Sequence, residues 1–378
     1  MDTALVNQQQ TKKMRSSNLE LFRIISMFLI VAHHYVVNSG ILPVAKLQPM
    51  AGNSIFLFLF GAWGKIGINC FVLITGYFMC KSNITLKKFL KLVFEIMFYR
   101  VVIYFIFVIS GYEAISITGL AKAFLPVYKI GDNFPACFLM FYLCIPFLNI
   151  LIKNLNEKMH VRLLLLSGFI YVFLATMPVF SVTMNYVSWF IVLYFIASYV
   201  RLYDKKIFNK TLLWGLVALC AVLLSSLSVI GGAWLGPKIN KDLIFKFVTD
   251  SNTFLAVLTG FSSFMFFKNL KIKNSKIINT VASTCFGILL IHANSATMRN
   301  WLWKDVLNVA GQYNSAYLII HALVSVVAIF VICALIDLFR IHILEKLFFR
   351  FWDKIEPKLK SKYSDIEDKL CKKFHIGE

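Results

Sequence analysis

The sequence predicts an all-α fold: a polytopic membrane helical bundle of about ten transmembrane helices, with both termini cytoplasmic. Three observations carry this expectation. The 378 residues are 59% hydrophobic and only 15% charged, with a mean hydropathy of +0.74, outside the range of soluble domains. Apolar runs near the roughly 20 residues that cross a bilayer recur along almost the whole chain. Lysine and arginine alternate between rich and poor connecting segments, as the positive-inside rule requires.

The elements follow in order. The first apolar run, 19–37, comes after a polar leader holding Lys12, Lys13 and Arg15. That leader is long, the run outlasts the apolar region of a signal peptide, and no small-x-small site follows, so the run is expected to remain as the first span. The stretch 51–66, AGNSIFLFLFGAWGKI, is apolar but carries Gly61, Gly64 and Lys65. It reads as an external re-entrant or interfacial segment leading into the second span, 67–80. Further spans are expected at 90–110, 134–152, 163–180, 186–203, 212–235, 253–268, 277–293 and 316–338. With the N-terminus inside, the inner segments and tail hold 29 of the 39 basic residues, the outer segments nine, and Arg100 lies within a span. The net charge of +21 therefore reports topology and attraction to anionic lipid headgroups, not nucleic acid.

No internal repeat or low-complexity linker divides the chain. It reads as a polar cytoplasmic arm (1–18), one membrane domain (19–340) and a basic amphipathic cytoplasmic tail (341–378). Early in the tail, Leu347, Phe348, Phe351 and Ile355 recur at helical spacing beside lysines, as in an interfacial helix, which Pro357 would end. The eight cysteines mostly fall in spans, Cys70, Cys144, Cys220 and Cys333 among them, and none forms a CxxC pair, so they read as small apolar side chains, and no metal site is expected. The longest outer loops are short, roughly 111–133 and 236–252. Any chemistry must be built from the helices and their ends.

The segment FRIISMFLIVAHHY, 22–35, holds the first candidates. Arg23 and His34 are eleven positions apart, so on a helix they lie about 20° from alignment, with Met27 and Ile30 between them. The rise sets His34 about 16 Å deeper than Arg23. Ionisable groups at such depth cost of order 2–3 kcal/mol or more and tend to face a cavity. Alone, Arg23 would be a snorkelling anchor and a membrane histidine a helix–helix hydrogen-bond partner; on one stripe they point to function. His33 points roughly 80° away and reads as a packing or supporting residue. In the third span, Glu95 and Arg100 are five apart, so each needs a partner elsewhere. In the ninth, STCFGILLIHANSATMRNW places His292 and Asn294 near the outer surface, at a depth similar to His34. His321 ranks lower, and His160, His342 and His375 read as incidental cytoplasmic residues.

NLELFRIISMFLIVAHHY resembles the first helix of the acyltransferase 3 family of integral-membrane acyltransferases, many of which O-acetylate bacterial surface polysaccharides. Arg23 and His34 match that helix's arginine and histidine. WGKIGINCFVLITGYFMCKS, 63–82, resembles the family's segment that ends in a serine- or threonine-glycine-aromatic turn, here Thr75, Gly76 and Tyr77. The usually arginine-rich cytoplasmic cluster is here KKFLK, so Lys87, Lys88 and Lys91 stand in, without arginine's bidentate fork. FLMFYLCIPFLNILI, 138–152, matches a segment ending in proline-phenylalanine-leucine-asparagine, with Asn149; the tryptophan often found before it is replaced by NFPACF. FGILLIHANSATMRNWLW, 286–303, matches a late helix ending in a histidine, here His292.

The similarity spans about 18–340. It implies ten or more helices around a membrane cavity, in the cell (inner) membrane, and transfer of an acyl group from cytosolic acetyl-CoA, or another acyl-CoA, to a carbohydrate hydroxyl. No permanently bound cofactor is implied. On that resemblance Arg23, His34 and His292 are the catalytic candidates; Arg23, Lys87, Lys88 and Lys91 would hold the anionic end of CoA. His33, Thr75, Glu95, Arg100, Asn149 and Asn294 would support or line the cavity. His34 would act as general base or as a transient acyl carrier. A rival reading is a transporter or flippase for a lipid-linked sugar or small anion, built on Glu95 and Arg100; the inverted repeats of many transporters are not seen. A glycan polymerase would fit better with a large outer loop.

Overall fold

The structure is a computed structural model that describes residues 15–127, 133–177, 185–248 and 250–357. All regular structure among them is helical. The helices are α1 (Ser17–Val37), α2 (Ile41–Leu47), α3 (Gly52–Met79), α4 (Leu86–Ile109), α5 (Ile117–Phe124), α6 (Phe134–Asn154) and α7 (Glu157–Gly168). Then come α8 (Tyr186–Leu202), α9 (Thr211–Leu235), α10 (Phe254–Asn269), α11 (Lys276–His292), α12 (Ala296–Gln312) and α13 (Leu318–Pro357). Short polar residues start many of them: Asn133, Asn156, Asn185, Ser275 and Ser295 each accept from an amide in the first turn, filling donors the helix cannot satisfy itself.

Each of the ten expected apolar runs falls on helix wherever it is described. Six helices, α1, α3, α4, α6, α9 and α13, are long and apolar enough to cross a membrane; α11 with α12, bent by 93° at the break between them, would be a seventh. α8 and α10 are apolar but shorter, at 17 and 16 residues. The run expected at 163–180 continues from α7 through a widened turn, Phe169–Leu174, and its end lies outside the described residues. The protein is a multi-pass membrane protein.

α3 is the innermost of the long helices, packed against α1, α8 and α10; α9 is the most peripheral. Leu212, Leu216, Leu219, Leu223 and Leu227 of α9 are all exposed, on one face of the helix, as a lipid-facing stripe would be. Against this, α1 meets α3 across glycines spaced three apart. A Cβ on Gly61 would stand 2.8 Å from Val36, on Gly64 2.2 Å from the His33 ring, and on Gly67 2.9 Å from the Ser26 carbonyl. Small residues let membrane helices approach closely where side chains would hold them apart. Polar residues complete the joints. Asn18 donates to the carbonyls of Phe267 (3.0 Å) and Lys268 (2.8 Å) at the end of α10, and Asn149 donates to those of Met79 and Ser82 after α3.

Three expectations change. Stretch 51–66 is not re-entrant: it is the first half of α3, 28 residues long. Its glycines are packing surfaces toward α1, and the helix carries on past the two-residue turn, Ala62–Trp63, that Gly61 and Gly64 bracket. The interfacial tail helix is also not separate, because α13 runs unbroken for 40 residues; it meets neither glycine nor proline before Pro357, so nothing stops it. Phe348 does not face outward as a membrane anchor would but stacks on Phe94 of α4 at 4.4 Å. Thr75, Gly76 and Tyr77 likewise sit inside α3 and make no turn.

The described chain begins and ends at one end of the bundle, called proximal below. There Ser17 bonds Asn279, and Lys87 and Lys91 at the start of α4 meet α13. The opposite, distal end holds the end of α1, the break between α11 and α12, and the start of α13.

Candidate active site

His34 comes from the distal part of α1 and His292 from the last position of α11. His34 Nδ1 and His292 Nε2 are 2.9 Å apart. His292 Nδ1 lies 2.6 Å from the Ile288 carbonyl one turn earlier. A carbonyl only accepts, so His292 Nδ1 carries its hydrogen, and Nε2 of the neutral ring offers a lone pair. His34 Nδ1 must then donate to it, which leaves the His34 lone pair on Nε2. One backbone carbonyl thus sets two tautomers in series. His33, by contrast, donates from Nδ1 to the Gly61 carbonyl at 2.6 Å and fills the hollow over Gly64; it holds α1 on α3.

His34 lines a cavity of about 370 Å³ together with Ile30, Lys65, Arg100, Asn294 and Arg299. Lys65 donates to the Tyr186 hydroxyl and Arg299 to the Ala293 carbonyl at 3.3 Å. Arg100 reaches the carbonyls of Leu125 (2.7 Å) and Pro126 (3.4 Å). Asn294 donates to the Leu290 carbonyl at 2.9 Å, just beyond the end of α11. Trp303 and Tyr35, both fully buried, back the histidines, and Tyr35 shares a hydrogen bond of 2.9 Å with His321.

The other expected residues are elsewhere. Arg23 sits 3.7 Å from Glu20 and over the ring of Phe71; Met27 and Ile30, between it and His34, are buried. Arg23 is not among the residues that line the cavity. Lys87 pairs with Asp353 (2.6 Å), Lys91 with Glu345 (2.5 Å), and Lys88 bonds Ser82 and Asn83. Thr75 returns its hydroxyl to the Phe71 carbonyl, and Asn149, besides its two carbonyls, accepts from Tyr194 at 2.5 Å. His160 is not incidental: it is fully buried, bonded to the Phe195 carbonyl. His375 lies outside the described residues.

Glu95 finds its partner on α13. Arg340, 1% exposed, contacts Glu95 (3.0 Å), Asp337 (2.7 Å) and Glu345 (2.8 Å). Tyr99 donates to Asp337 at 2.7 Å, and a Cβ on Gly287 of α11 would overlap the Asp337 carboxyl at 2.2 Å. Sequence reasoning missed this cluster, having taken Arg340 for a topology signal. The available signal was Asp337, an acid inside the most apolar run, three residues before an arginine, spacing that pairs charges on one helix face. Glu95 and Arg100 do part, as their spacing required. One belongs to the Arg340 cluster, the other to the cavity.

A family model described as an acyltransferase domain matches residues 16–338, nearly the whole of the described bundle. The chain belongs to the acyltransferase 3 family. Membership makes it a membrane acyltransferase, and the match covers α1, the His34–His292 pair, the cavity and Asp337. No curated protein and no solved structure matches the chain.

Proposed function

We propose that the protein is an O-acyltransferase of the cell (inner) membrane that moves an acyl group, acetyl foremost, from cytosolic acyl-CoA to a hydroxyl of a cell-surface or lipid-linked carbohydrate. Ten membrane passes, with both termini cytoplasmic, make the proximal end the donor side and the distal end the acceptor side. One observation carries the reading: the hydrogen bond from His34 to His292, which leaves a lone pair on His34 Nε2 beside a cavity of ligand size.

The chemistry follows from that lone pair. His34 Nε2 takes the proton of the acceptor hydroxyl as its oxygen attacks the thioester carbonyl. The carbon–sulfur bond then breaks, and the departing thiolate recovers the proton from His34, giving an ester and free CoA thiol. His292 accepts the Nδ1 hydrogen throughout and stabilises the imidazolium that forms between the two steps, the part a base's orienting partner plays. Lys88 is the readiest phosphate ligand at the donor side, since an anion there would compete with Glu20 for Arg23 and with Asp353 and Glu345 for Lys87 and Lys91.

The test is a gene deletion complemented with wild type or His34→Ala, followed by mass spectrometry of surface glycans. An acyl mass increment should vanish in the deletion, return with wild type and stay absent with the variant. Glycans that keep every acyl group throughout would end the reading.

A further inference from the structure

A second cavity of about 340 Å³ adjoins the one at His34 and shares four of its lining residues, Arg100, Asn133, Asn294 and Arg299. The two form one chamber. It begins at His34 and continues beneath α5 and the break between α11 and α12. Four basic side chains line it: Lys65 near His34, Arg100 and Arg299 at the junction, and Lys122 in the outer part. Among the described residues the lining holds one carboxylate, Glu113, and that accepts from the Thr297 hydroxyl at 2.7 Å. The bonds of Lys65 and Arg299 go to uncharged oxygens, the Tyr186 hydroxyl and the Ala293 carbonyl.

Cations gathered in a recess walled by apolar helices repel one another and raise the local concentration of anions. Neutral hydroxyls would be served by amides and carboxylates, whereas the wall's Asn133 accepts from the Ala136 amide and Asn294 donates to the Leu290 carbonyl. Two guanidinium groups at the junction suit a carboxylate or phosphate instead, which each can bind through two parallel hydrogen bonds. Building on the acyltransferase reading above, we infer that the chamber selects an acceptor bearing a carboxylate or phosphate near the hydroxyl to be acylated. Arg299 and Arg100 grip the anion at the junction, Lys65 adds its charge beside the reacting hydroxyl, and the hydroxyl reaches His34.

Binding and transfer separate the two ideas. Purified protein in nanodiscs is titrated calorimetrically with methyl glucoside, methyl glucuronide and glucose 1-phosphate; acetyl transfer from acetyl-CoA to each is followed by mass spectrometry. One or both anionic probes should bind at least about tenfold more tightly than the neutral glucoside, and their order distinguishes carboxylate from phosphate. Arg299→Gln should erase most of that preference and Arg299→Lys keep part of it, with thermal unfolding confirming that both variants fold. Equal binding of all three probes, or a preference unchanged in Arg299→Gln, would overturn the inference. So would displacement of the anionic probes by free coenzyme A, which would give the chamber to the donor. Anion-selective binding without any transfer would leave the selectivity standing and remove the acyltransferase reading instead.

Discussion

At the scale of single residues, the two imidazoles make unequal demands. If His34 is the base, His34→Ala should lower transfer by about 10²–10⁴-fold at unchanged expression and melting temperature; a variant that turns over normally would dismiss the assignment. On the proposed mechanism His292 acts only through His34. His292→Ala should cost about ten- to a hundredfold, and His292→Gln, whose carbonyl can still accept the Nδ1 hydrogen, should recover part of that loss. Equal rates in the two His292 variants would mean that the contact orients nothing. The pH profile has a definite sign. The lone pair on His34 is lost on protonation, so kcat/KM should fall as pH drops and level off above it. How much of this was legible beforehand is instructive. Register alone aligned His34 with Arg23, because helical rise and turn are fixed by the backbone, and the expected topology put His292 at a similar depth. The Nδ1–Nε2 contact and the Ile288 carbonyl behind it depend on how α11 lies against α1, which no spacing within one helix encodes.

At the scale of elements, apolar length located the helices well and glycine misled. Gly61 and Gly64 suggested a re-entrant or interfacial segment because glycine weakens a helix in water, and they do bracket a short turn, Ala62–Trp63. Inside a bundle the same residues are recesses, and His33 occupies one of them. Gly64→Ala should therefore push α3 off α1, lowering both the melting temperature and the transfer rate, whereas Gly231→Ala, with open space around its Cβ, should change neither. Similar losses in both would show that backbone freedom, not the seam, is what matters. α13 went astray for the converse reason. Charges after residue 340 signalled an end to the membrane span, yet nothing in the backbone of that stretch ends the helix, and Arg340 and Glu345 turn inward to partners on α4 and on α13 itself.

At the scale of the whole molecule, charge was only partly legible. The lysine and arginine asymmetry speaks of which segments stay inside, but it counts Arg340 with the surface when that residue is 1% exposed among three carboxylates. Removing one partner of a buried ionic group leaves the others unpaired, at a cost of roughly 3–5 kcal/mol. Arg340→Ala should therefore lower stability by about that amount, and adding Glu95→Gln should restore part of it by removing one of the stranded carboxylates. A Glu95→Gln substitution that shifts stability equally with and without Arg340 would mean that the two are energetically independent.

The same cluster bears on how the chain is made. Tyr99 and Asp337 meet across 238 positions, so α4 is synthesised and handed to the lipid long before α13 exists. Until then Glu95 sits in an apolar helix without the Arg340 guanidinium that contacts it in the folded bundle. Arrival of α13 and closure of this part of the bundle are in this sense one event, with that helix as its latch. A chain ending before Asp337 should accordingly be cleared by membrane proteases while the full-length protein persists, a difference that pulse–chase labelling would register within a single experiment.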